Sequence, residues 1–252
     1  MNSQASLFQY ILKIADNQLI LGHRLSEQCS KGPFLEEDIA CSNIALDLIG
    51  AANSLYVYAA AIEGENKTED DLVFLRSERA FKNVLLVEQP NTDFAYIMCR
   101  QFLFDTYDYF FQQALQKSKD ETLAAIAAKT IKESTYHLRH SGNWIIRLGD
   151  GTPESNLRLK TAFTNLWCYV EELFEQDAAE LDLVAQGIAV DTQSIKSQFN
   201  SHIAEIMQTA GMEIPRGIFM QSGGKKGVHT EHLGFLLAEM QSVHRSFPGV
   251  KW

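Results

Sequence analysis

Residues 122–148, TLAAIAAKTIKESTYHLRHSGNWIIRL, predict one long helix. The stretch contains no proline, is rich in alanine over its first half, and repeats apolar side chains at roughly helical spacing. Glu133, His137 and His140 would share one face of this helix, because residues three or four apart stack on a helix. Carboxylate and imidazole groups along a buried helix face are the components of a metal site in a helical bundle. Whether the chain holds a metal is therefore the first question.

The composition indicates a soluble globular protein. The 252 residues are 46% hydrophobic and 21% charged, which suits a chain with a buried core and disfavours global disorder. With 32 acidic and 22 basic residues the formal charge is -10, so nucleic-acid binding is disfavoured because phosphate backbones are repelled. We expect no export signal and no membrane helix of ~20 residues. Four scattered cysteines without a C-x-x-C pair favour a reducing compartment, and we expect a cytoplasmic protein.

Apolar periodicity predicts seven helices. Their expected bounds are about 6–28, 35–63, 92–117, 122–148, 154–184, 192–209 and 230–245. Thr92 is the expected N-cap of the third helix. The second helix is apolar almost all round, so we expect it to be central and covered by the others, with small residues at 50–52 allowing a close approach.

These helices predict an all-α fold. Helices one and two pair, helices three and four pair, and a long crossover joins the pairs, which describes a four-helix bundle over residues 6–148. Additional C-terminal helices follow over residues 154–245. The short apolar run Val84–Val87 is expected to be an extended linker rather than a strand. We expect residues 1–252 to form a single domain.

The sequence does not contain the ligand motif of a di-iron bundle. That site takes a Glu from each of two helices and a Glu-x-x-His from each of the other two. No Glu-x-x-His occurs in this chain. At the position expected for one motif the sequence has Asp47-Leu-Ile-Gly50, and at the position expected for the other it has Glu133-Ser-Thr-Tyr136. In the second segment the histidine, His137, follows the expected ligand position by one residue. One residue turns a helix by about 100°, which takes His137 out of the ligand position.

The sequence therefore predicts a cluster that resembles a metal site but has no histidine at a ligand position. Its members are Asp47, Asp105, Glu133 and His137. A hydrogen-bonded polar cluster, or residues that simply face solvent, is favoured over a bound metal. A single hard ion on the remaining carboxylates stays open as an alternative. We expect no metal and no catalytic residue in this chain.

Other motifs carry less chemistry. His137-x-x-His140 and His229-x-x-His232 each lack a third ligand nearby in sequence, which favours structural or surface roles. Gly223–Gly227, GGKKG, is similar to a phosphate-binding loop but lacks the Walker spacing and a preceding strand. A flexible turn with two solvated lysines is the favoured interpretation. No serine or cysteine nucleophile signature is present.

A basic cluster stands out in this acidic chain. Arg76, Arg79 and Lys82 occur within a few residues, beside Phe81 and Asn83. Such a cluster suits an anionic ligand or the acidic surface of a partner. A solvated face balanced by neighbouring carboxylates is an equal alternative.

Five segments carry a family resemblance. They are LLVEQPN (85–91), IKESTYHLRH (131–140), GIAVD (187–191), GGKKGVHTEHLGFLLAEMQ (223–241) and PGVKW (248–252). In these segments, and over nearly its whole length, the chain resembles the PaaC family, the C subunits of phenylacetyl-CoA epoxidase. The resemblance implies a ferritin-like fold, related to multicomponent di-iron monooxygenases, that has lost the iron ligands.

The resemblance also implies a role. In such a complex another ferritin-like chain, the catalytic oxygenase subunit, holds the di-iron site, while a flavin and iron–sulfur reductase supplies electrons from NADPH. The reaction converts phenylacetyl-CoA and dioxygen into the ring 1,2-epoxide. PaaC-type chains pair with the oxygenase subunit to support it structurally, with a homodimer as an option for the lone chain. We expect a non-catalytic structural subunit without a cofactor of its own.

Coenzyme A is polyanionic, so the resemblance offers a ligand that suits the positive charge of the basic cluster. The resemblance implies that this stretch, together with the helix end at 181–183, touches the CoA portion held mainly by the oxygenase subunit. The residues expected at this contact are Arg76, Arg79, Ala80, Phe81, Lys82, Asn83, Leu181, Asp182 and Leu183. For residues 181–183 the side-chain chemistry alone gives no reason to expect a contact with CoA.

Two functions of another class stay open. One is an independent di-metal oxygenase or ferroxidase, which metal analysis of the purified chain tests. The other is a stand-alone CoA-ester-binding module, which calorimetric titration with phenylacetyl-CoA tests.

Overall fold

The computed structural model describes residues 3–64, 67–247 and 249–250, so part of the closing PGVKW segment lies outside the described residues. Within these ranges the chain is helical and has no strand, which confirms the all-α prediction. The helices are α1 (Ser3–Ser26), α2 (Leu35–Glu63), α3 (Glu69–Phe74), α4 (Phe94–Leu115), α5 (Glu121–Gly149), α6 (Pro153–Leu166), α7 (Ala178–Ala185), α8 (Thr192–Thr209), α9 (Glu231–Met240) and α10 (Ser242–Ser246).

Four long helices form a ferritin-like bundle. α1 packs along α2, α4 packs along α5, and a long crossover that contains α3 joins the two pairs. α6 and α8 cover α4 and α5 from outside. One hydrophobic core cluster extends from Tyr10 in α1 to Leu237 in α9, so the C-terminal helices share the core of the bundle.

Carboxylate caps set the starts of the second helix pair. The side chain of Asp93 accepts a hydrogen bond from the Tyr96 backbone N at 2.8 Å, so Asp93 rather than Thr92 is the N-cap of α4. Asp120 caps α5 in the same way, from the Leu123 backbone N at 2.9 Å. An N-cap oxygen satisfies one of the free N–H groups of the first turn.

The prediction that α2 is central and covered is wrong. Only half of its most apolar 18-residue window is buried, and Leu46 is 67% exposed. The reason is position, because α2 packs extensively on α1 and only along a limited line on α5. By length and composition alone α2 could also cross a membrane, a property that core helices of soluble proteins share.

The predicted helix over residues 154–184 is also wrong. α6 ends at Leu166, and α7 begins only after Asp177, with 3-10 turns between them. Asp177 and Glu180 form a reciprocal capping box, in which each side chain accepts a hydrogen bond from the backbone N–H of the other. The predicted last helix is likewise divided, because Gln241 separates α9 from α10 and its side chain donates to the Val73 carbonyl.

The segment Val84–Val87 is not an extended linker. Residues 85–88 form a turn, and every residue from 83 to 89 is buried. Loops usually run over the surface, since buried backbone polar groups need partners. This loop finds its partners in the C-terminal part of the chain.

Candidate functional site

A cluster of polar side chains crosses the interior of the four-helix bundle, and we call it the polar centre. Its members are Gln18, Asp47, Gln101, Asp105, Asp108, Gln112, Ser134, His137 and Ser141. Asp105, Asp108 and His137 are each less than 5% exposed. Burial of three ionisable groups costs free energy unless each of them has partners.

Asp108 accepts hydrogen bonds from three helices. Its Oδ1 accepts from Gln18 Nε2 at 2.7 Å and from Gln112 Nε2 at 3.0 Å, and its Oδ2 accepts from Ser134 Oγ at 2.6 Å. Burial raises the pKa of Asp108, although these hydrogen bonds oppose the shift. Both carboxyl oxygens are thus engaged by protein donors.

Asp105 is held in a similar way. Its Oδ1 accepts from Gln101 Nε2 at 2.6 Å, and its Oδ2 accepts from Ser141 Oγ at 2.7 Å. Burial raises the pKa of Asp105 to about 7, against the opposing effects of His137 and of the two hydrogen bonds. Near neutral pH this side chain is therefore a mixture of acid and carboxylate.

His137 joins the polar centre to α2. Its Nε2 lies 3.1 Å from Oδ2 of Asp47. Burial alone would lower the pKa of His137, but the hydrogen bond with Asp47 and the charge of Asp105 outweigh burial and raise the pKa. Glu133 lies at the partly exposed edge, where burial and the charge of Asp47 raise the pKa of its carboxyl.

The polar centre brings together the residues that the sequence singled out, but in a different arrangement from a metal site. Asp47 contacts His137 directly, Asp105 is held by Ser141 one turn further along α5, and Glu133 stays at the edge. Asp108 is the carboxylate that the predicted cluster left out, together with the amide and hydroxyl side chains that donate to the two aspartates. Its position three residues after Asp105 puts both carboxylates on one helix face, and this spacing is the signal that could have found it.

The donors around Asp105 and Asp108 do not suit a di-iron centre. Each oxygen of these two carboxylates already accepts from an amide or hydroxyl group of this chain, and no Glu-x-x-His pair supplies the imidazole ligands that a di-iron site of this kind uses. Among the described residues, no group of three or more His, Cys, Asp or Glu side chains is placed to hold a metal ion. The residues of this bundle therefore do not fit the metal that the fold family implies.

The first member of the basic cluster faces inward. The guanidinium of Arg76 makes a two-point ion pair with Asp16, which is fully buried in α1. The Tyr56 hydroxyl and the Lys82 backbone N–H also donate to Asp16. Arg76 further packs over the ring of Phe81, with 4.1 Å between guanidinium carbon and ring centroid. Arg76 thus joins α1, α2 and the crossover, and is not available as a surface ligand for an anion.

The structure divides the residues predicted to touch CoA. The side chains of Phe81, Asn83 and Leu183 are fully buried, so these three, like Arg76, cannot contact a ligand outside the chain. The side chains that remain accessible are Arg79, Ala80, Lys82, Leu181 and Asp182. That these five contact CoA stays a prediction.

Two buried glutamates join the crossover to the C-terminal motif. Glu88 accepts from the Thr230 backbone N–H at 2.6 Å and its hydroxyl at 2.7 Å, and its Oε2 lies 2.8 Å from His229 Nδ1. Glu172 accepts from the Leu85 backbone N–H at 2.6 Å and the Gly223 backbone N–H at 2.8 Å. Residues 223–241 therefore hold residues 79–90 in place, and these hydrogen bonds through Glu88 and Glu172 are called the clamp. His229 takes part in the clamp, which confirms the structural role predicted for it.

The interpretation of GGKKG as a flexible turn with two solvated lysines is wrong for Lys225. Its ammonium group donates to the Leu173 carbonyl at 3.1 Å and to the Glu175 carbonyl at 2.7 Å. Burial lowers the pKa of Lys225. Lys226, by contrast, is exposed.

Lys226 lies beside a surface groove with a volume of about 590 Å³. Leu181 also lines this groove, as does Lys13, which is ion-paired there with Asp177 and Glu180. Lys82 packs against Gly227, the residue after Lys226. The two segments predicted from the resemblance, 80–83 and 181–183, are thus brought to one side of the molecule by the GGKKG turn.

Comparison with known proteins gives the family. The family model described as "phenylacetic acid catabolic protein" matches residues 1–252. The chain is 44% identical over 246 residues to the C subunit of 1,2-phenylacetyl-CoA epoxidase from Escherichia coli (strain K12), which covers 98% of this chain and 99% of that protein. The polar centre, the clamp and the helical bundle described above are therefore features of a chain that belongs to the phenylacetic acid catabolic protein family.

Proposed function

We propose that this chain is the non-catalytic structural subunit of a ring 1,2-phenylacetyl-CoA epoxidase, and that it pairs with and stabilises the di-iron oxygenase subunit in aerobic phenylacetate degradation. The relative named as the C subunit of that enzyme supports a role in this complex. The observation that carries the structural role is the polar centre, in which the carboxylates are engaged by amide and hydroxyl donors of the same chain.

The chemistry of the polar centre favours a scaffold over a reaction site. An iron ion between Asp105 and Asp108 would compete for these oxygens with donors that come from α1, α4 and α5. A side chain with a pKa of about 7 is also a weak ligand at neutral pH, since the proton and the metal compete for it. The cluster instead joins the four helices by hydrogen bonds, which fixes the shape that a partner meets.

The proposal assigns no cofactor to this chain. The di-iron site belongs to the oxygenase subunit, and electrons reach it from NADPH through a separate reductase. The same proposal places the complex in the cytoplasm. The four cysteines, which are all free thiols, are compatible with a reducing compartment.

A contact with the substrate's CoA portion is the second part of the proposal. Arg79, Lys82 and Lys226 are three cations on one side of an acidic chain, and a polyanion such as CoA suits them. In this role the chain contributes positive charge at the rim of a site that the oxygenase subunit holds.

Co-production with the oxygenase subunit, followed by metal analysis of each chain, tests the proposal. We expect the two chains to co-elute in a fixed ratio, with iron only on the oxygenase subunit. Near-stoichiometric iron or manganese on the lone chain, lost in Asp47→Asn or Glu133→Gln, would favour the independent oxygenase instead. Heat on titration of the lone chain with phenylacetyl-CoA would favour the stand-alone binding module.

A further inference from the structure

An exposed stripe runs along the outer side of α2. It consists of Ile39, Asn43, Leu46, Gly50, Asn53 and Val57 and is called the α2 stripe. Ile39 is 51% exposed, Leu46 is 67% exposed and Val57 is 47% exposed. The members follow one another at alternating steps of four and three residues, which is the spacing of the seam by which two helices pack in a coiled coil. The seam has no partner helix among the described residues of this chain.

Gly50 lies at the middle of the α2 stripe. A Cβ atom placed on Gly50 would have no neighbour within 4 Å, so the fold of this chain does not require a glycine there. Glycine within a helix is unfavourable, because it loses more conformational freedom on folding than any other residue. A small residue at a helix surface does allow the backbone of another helix to approach closely. The position therefore suits packing by a helix from another chain.

A basic stripe runs along the exposed side of α5. It consists of Lys129, Lys132, Tyr136, Arg139 and Arg147, at helical spacing, and is called the α5 stripe. Within the described part of the chain, none of its four cations forms an ion pair with a carboxylate, although the chain as a whole has a formal charge of -10. Clustered, unpaired charge on a helix surface suits a partner of the opposite sign.

The two stripes lie on neighbouring helices. His137 of α5 contacts Asp47 of α2, the residue after Leu46. Nearer the other end, Nε2 of His140 lies 2.7 Å from Oε2 of Glu37, and the Trp144 ring N–H donates to the same oxygen at 2.8 Å. These contacts hold α2 and α5 side by side, and the surface between the apolar and the basic stripe is called the groove.

We propose that this groove is the docking site for a single helix of the oxygenase subunit, with an apolar seam toward the α2 stripe and carboxylates toward the α5 stripe. The inference rests on the proposed function and adds the face and the chemistry of the partner. Burial of the apolar seam supplies the affinity, and the opposite charges fix the orientation. Asn43 and Asn53 set the register in which the partner helix packs along α2, as polar residues within an otherwise apolar seam do.

A second copy of this chain fits the groove less well. The helix that a symmetric dimer would offer is α2, and four of its five carboxylates already have partners within this chain, namely Glu37, Asp38, Asp47 and Glu63. Only Glu36 is then left to meet a neighbouring copy. Such a helix cannot neutralise the four cations of the α5 stripe. The charges therefore favour a different chain over a homodimer at this face.

Binding of the purified oxygenase subunit to variants of this chain tests the apolar half of the proposal. Leu46→Arg places a charge in the seam, and Gly50→Leu fills the space that the partner backbone needs. The matched control is Leu157→Arg, because Leu157 in α6 is 65% exposed and lies outside both stripes. We expect at least about a tenfold weaker binding for Leu46→Arg and Gly50→Leu, and unchanged binding for Leu157→Arg.

Charge reversal tests the basic half. The double change Lys129→Glu with Arg147→Glu is expected to slow association severalfold and to reduce its dependence on salt, since steering by opposite charges is lost. Lys160→Glu, at an exposed position on α6, is the control and is expected to leave both quantities unchanged.

The outcomes separate this inference from the proposed function. If the parent chain does not bind the oxygenase subunit, the proposed function fails. If the parent binds and Leu46→Arg and Gly50→Leu bind as tightly, or Leu157→Arg weakens binding equally, the docking site is wrong while the function stands. If Leu46→Arg only dissociates a homodimer of the lone chain, the groove serves self-association and the docking site is wrong. Circular dichroism checks that each variant is folded.

Discussion

The Nε2 atom of His137 lies 3.1 Å from Oδ2 of Asp47, and this contact ties α5 to α2 at the edge of a buried polar network. On its inner side His137 meets the charge of Asp105, whose pKa is raised to about 7. Asp105 thus changes its proton content near neutral pH, and His137 does so above its ordinary pKa of 6.5. Stability of the bundle should therefore depend on pH in a window that these two groups define.

The first prediction concerns Asp105→Asn. In the folded chain Asp105 keeps its proton up to about pH 7, whereas in the unfolded chain it loses the proton near its ordinary pKa of 3.8. Between these two values the folded state binds more protons than the unfolded state, so the free energy of unfolding falls as pH rises. His137 acts in the same direction, because its raised pKa gives stability below about pH 6.5 that is lost as pH rises through the folded value.

Asp105→Asn should therefore flatten the loss of stability between about pH 4 and pH 7 and stabilise the chain at pH 8 by up to a few kcal/mol, since one pKa unit corresponds to about 1.4 kcal/mol. The asparagine oxygen can still accept from Gln101, and its amide can donate to Ser141. Urea unfolding at pH 5 and pH 8 measures the effect, with the exposed Asp182→Asn as control. Asp108, Glu133 and His137 also have raised pKa values and keep a residual slope in the variant. Equal slopes for parent and variant would contradict the assignment to Asp105.

The second prediction separates the inner from the outer members of the basic cluster. Arg76→Ala leaves Asp16 buried without its charged partner, and this should cost about 3–5 kcal/mol of stability. Arg79→Ala alters an exposed side chain and should change stability by less than about 0.5 kcal/mol. Denaturant unfolding of both variants makes the comparison. A small effect of Arg76→Ala would show that the ion pair with Asp16 contributes little to the fold.

The third prediction concerns the CoA contact. In the assembled epoxidase, Lys82→Ala and Arg79→Ala should raise the KM for phenylacetyl-CoA severalfold and leave kcat nearly unchanged, because they remove charge from binding and not from chemistry. Lys160→Ala, an exposed cation on α6, is the control. Steady-state kinetics at low salt gives the clearest readout, since screening weakens such contacts. Unchanged KM in both variants would remove this part of the proposed function.

The helix bounds were predictable where local pattern decides them. The bounds of α2 and α8 agree with the prediction residue for residue, because their apolar periodicity is bounded by clear punctuation. The break between α6 and α7 was not predictable in this way. Apolar residues continue through Trp167–Phe174, and the break depends on Asp177 as a cap and on Glu172 reaching the distant Leu85 and Gly223.

The sites were predictable only in outline. Asp47 and His137 were identified because they lie in or beside the two segments where a Glu-x-x-His motif is expected and absent. In the structure these two side chains contact each other. Arg76 and Arg79 look alike in sequence, and only the fold shows that one of them meets Asp16, which is distant in the chain. An apolar helix is also ambiguous, since a core helix and a docking helix require the same residue types. The exposure of Leu46 shows that this side of α2 lies outside the core of the chain, which the sequence could not show.

The last prediction compares two glycines. A Cβ atom on Gly224 would lie far inside the van der Waals contact distance from the Asn83 carbonyl oxygen, whereas a Cβ on Gly50 meets nothing within 4 Å. Asn83 is fully buried and its side chain donates to Glu88, so its backbone cannot move without disturbing the clamp. Gly224→Ala should therefore destabilise the chain by about 1–3 kcal/mol or more, as other changes that overfill a packed site do.

Gly50→Ala should have the opposite sign. It improves helix propensity at an open position and should stabilise the lone chain by about 0.5–1 kcal/mol. Thermal and denaturant unfolding of the two alanine variants beside the parent measure both effects in one experiment. If Gly50→Ala destabilised the lone chain, the outer side of α2 would have to be packed within this chain, and the docking groove would lose its basis. If Gly224→Ala were neutral, the contact between the GGKKG turn and Asn83 would be looser than the structure shows.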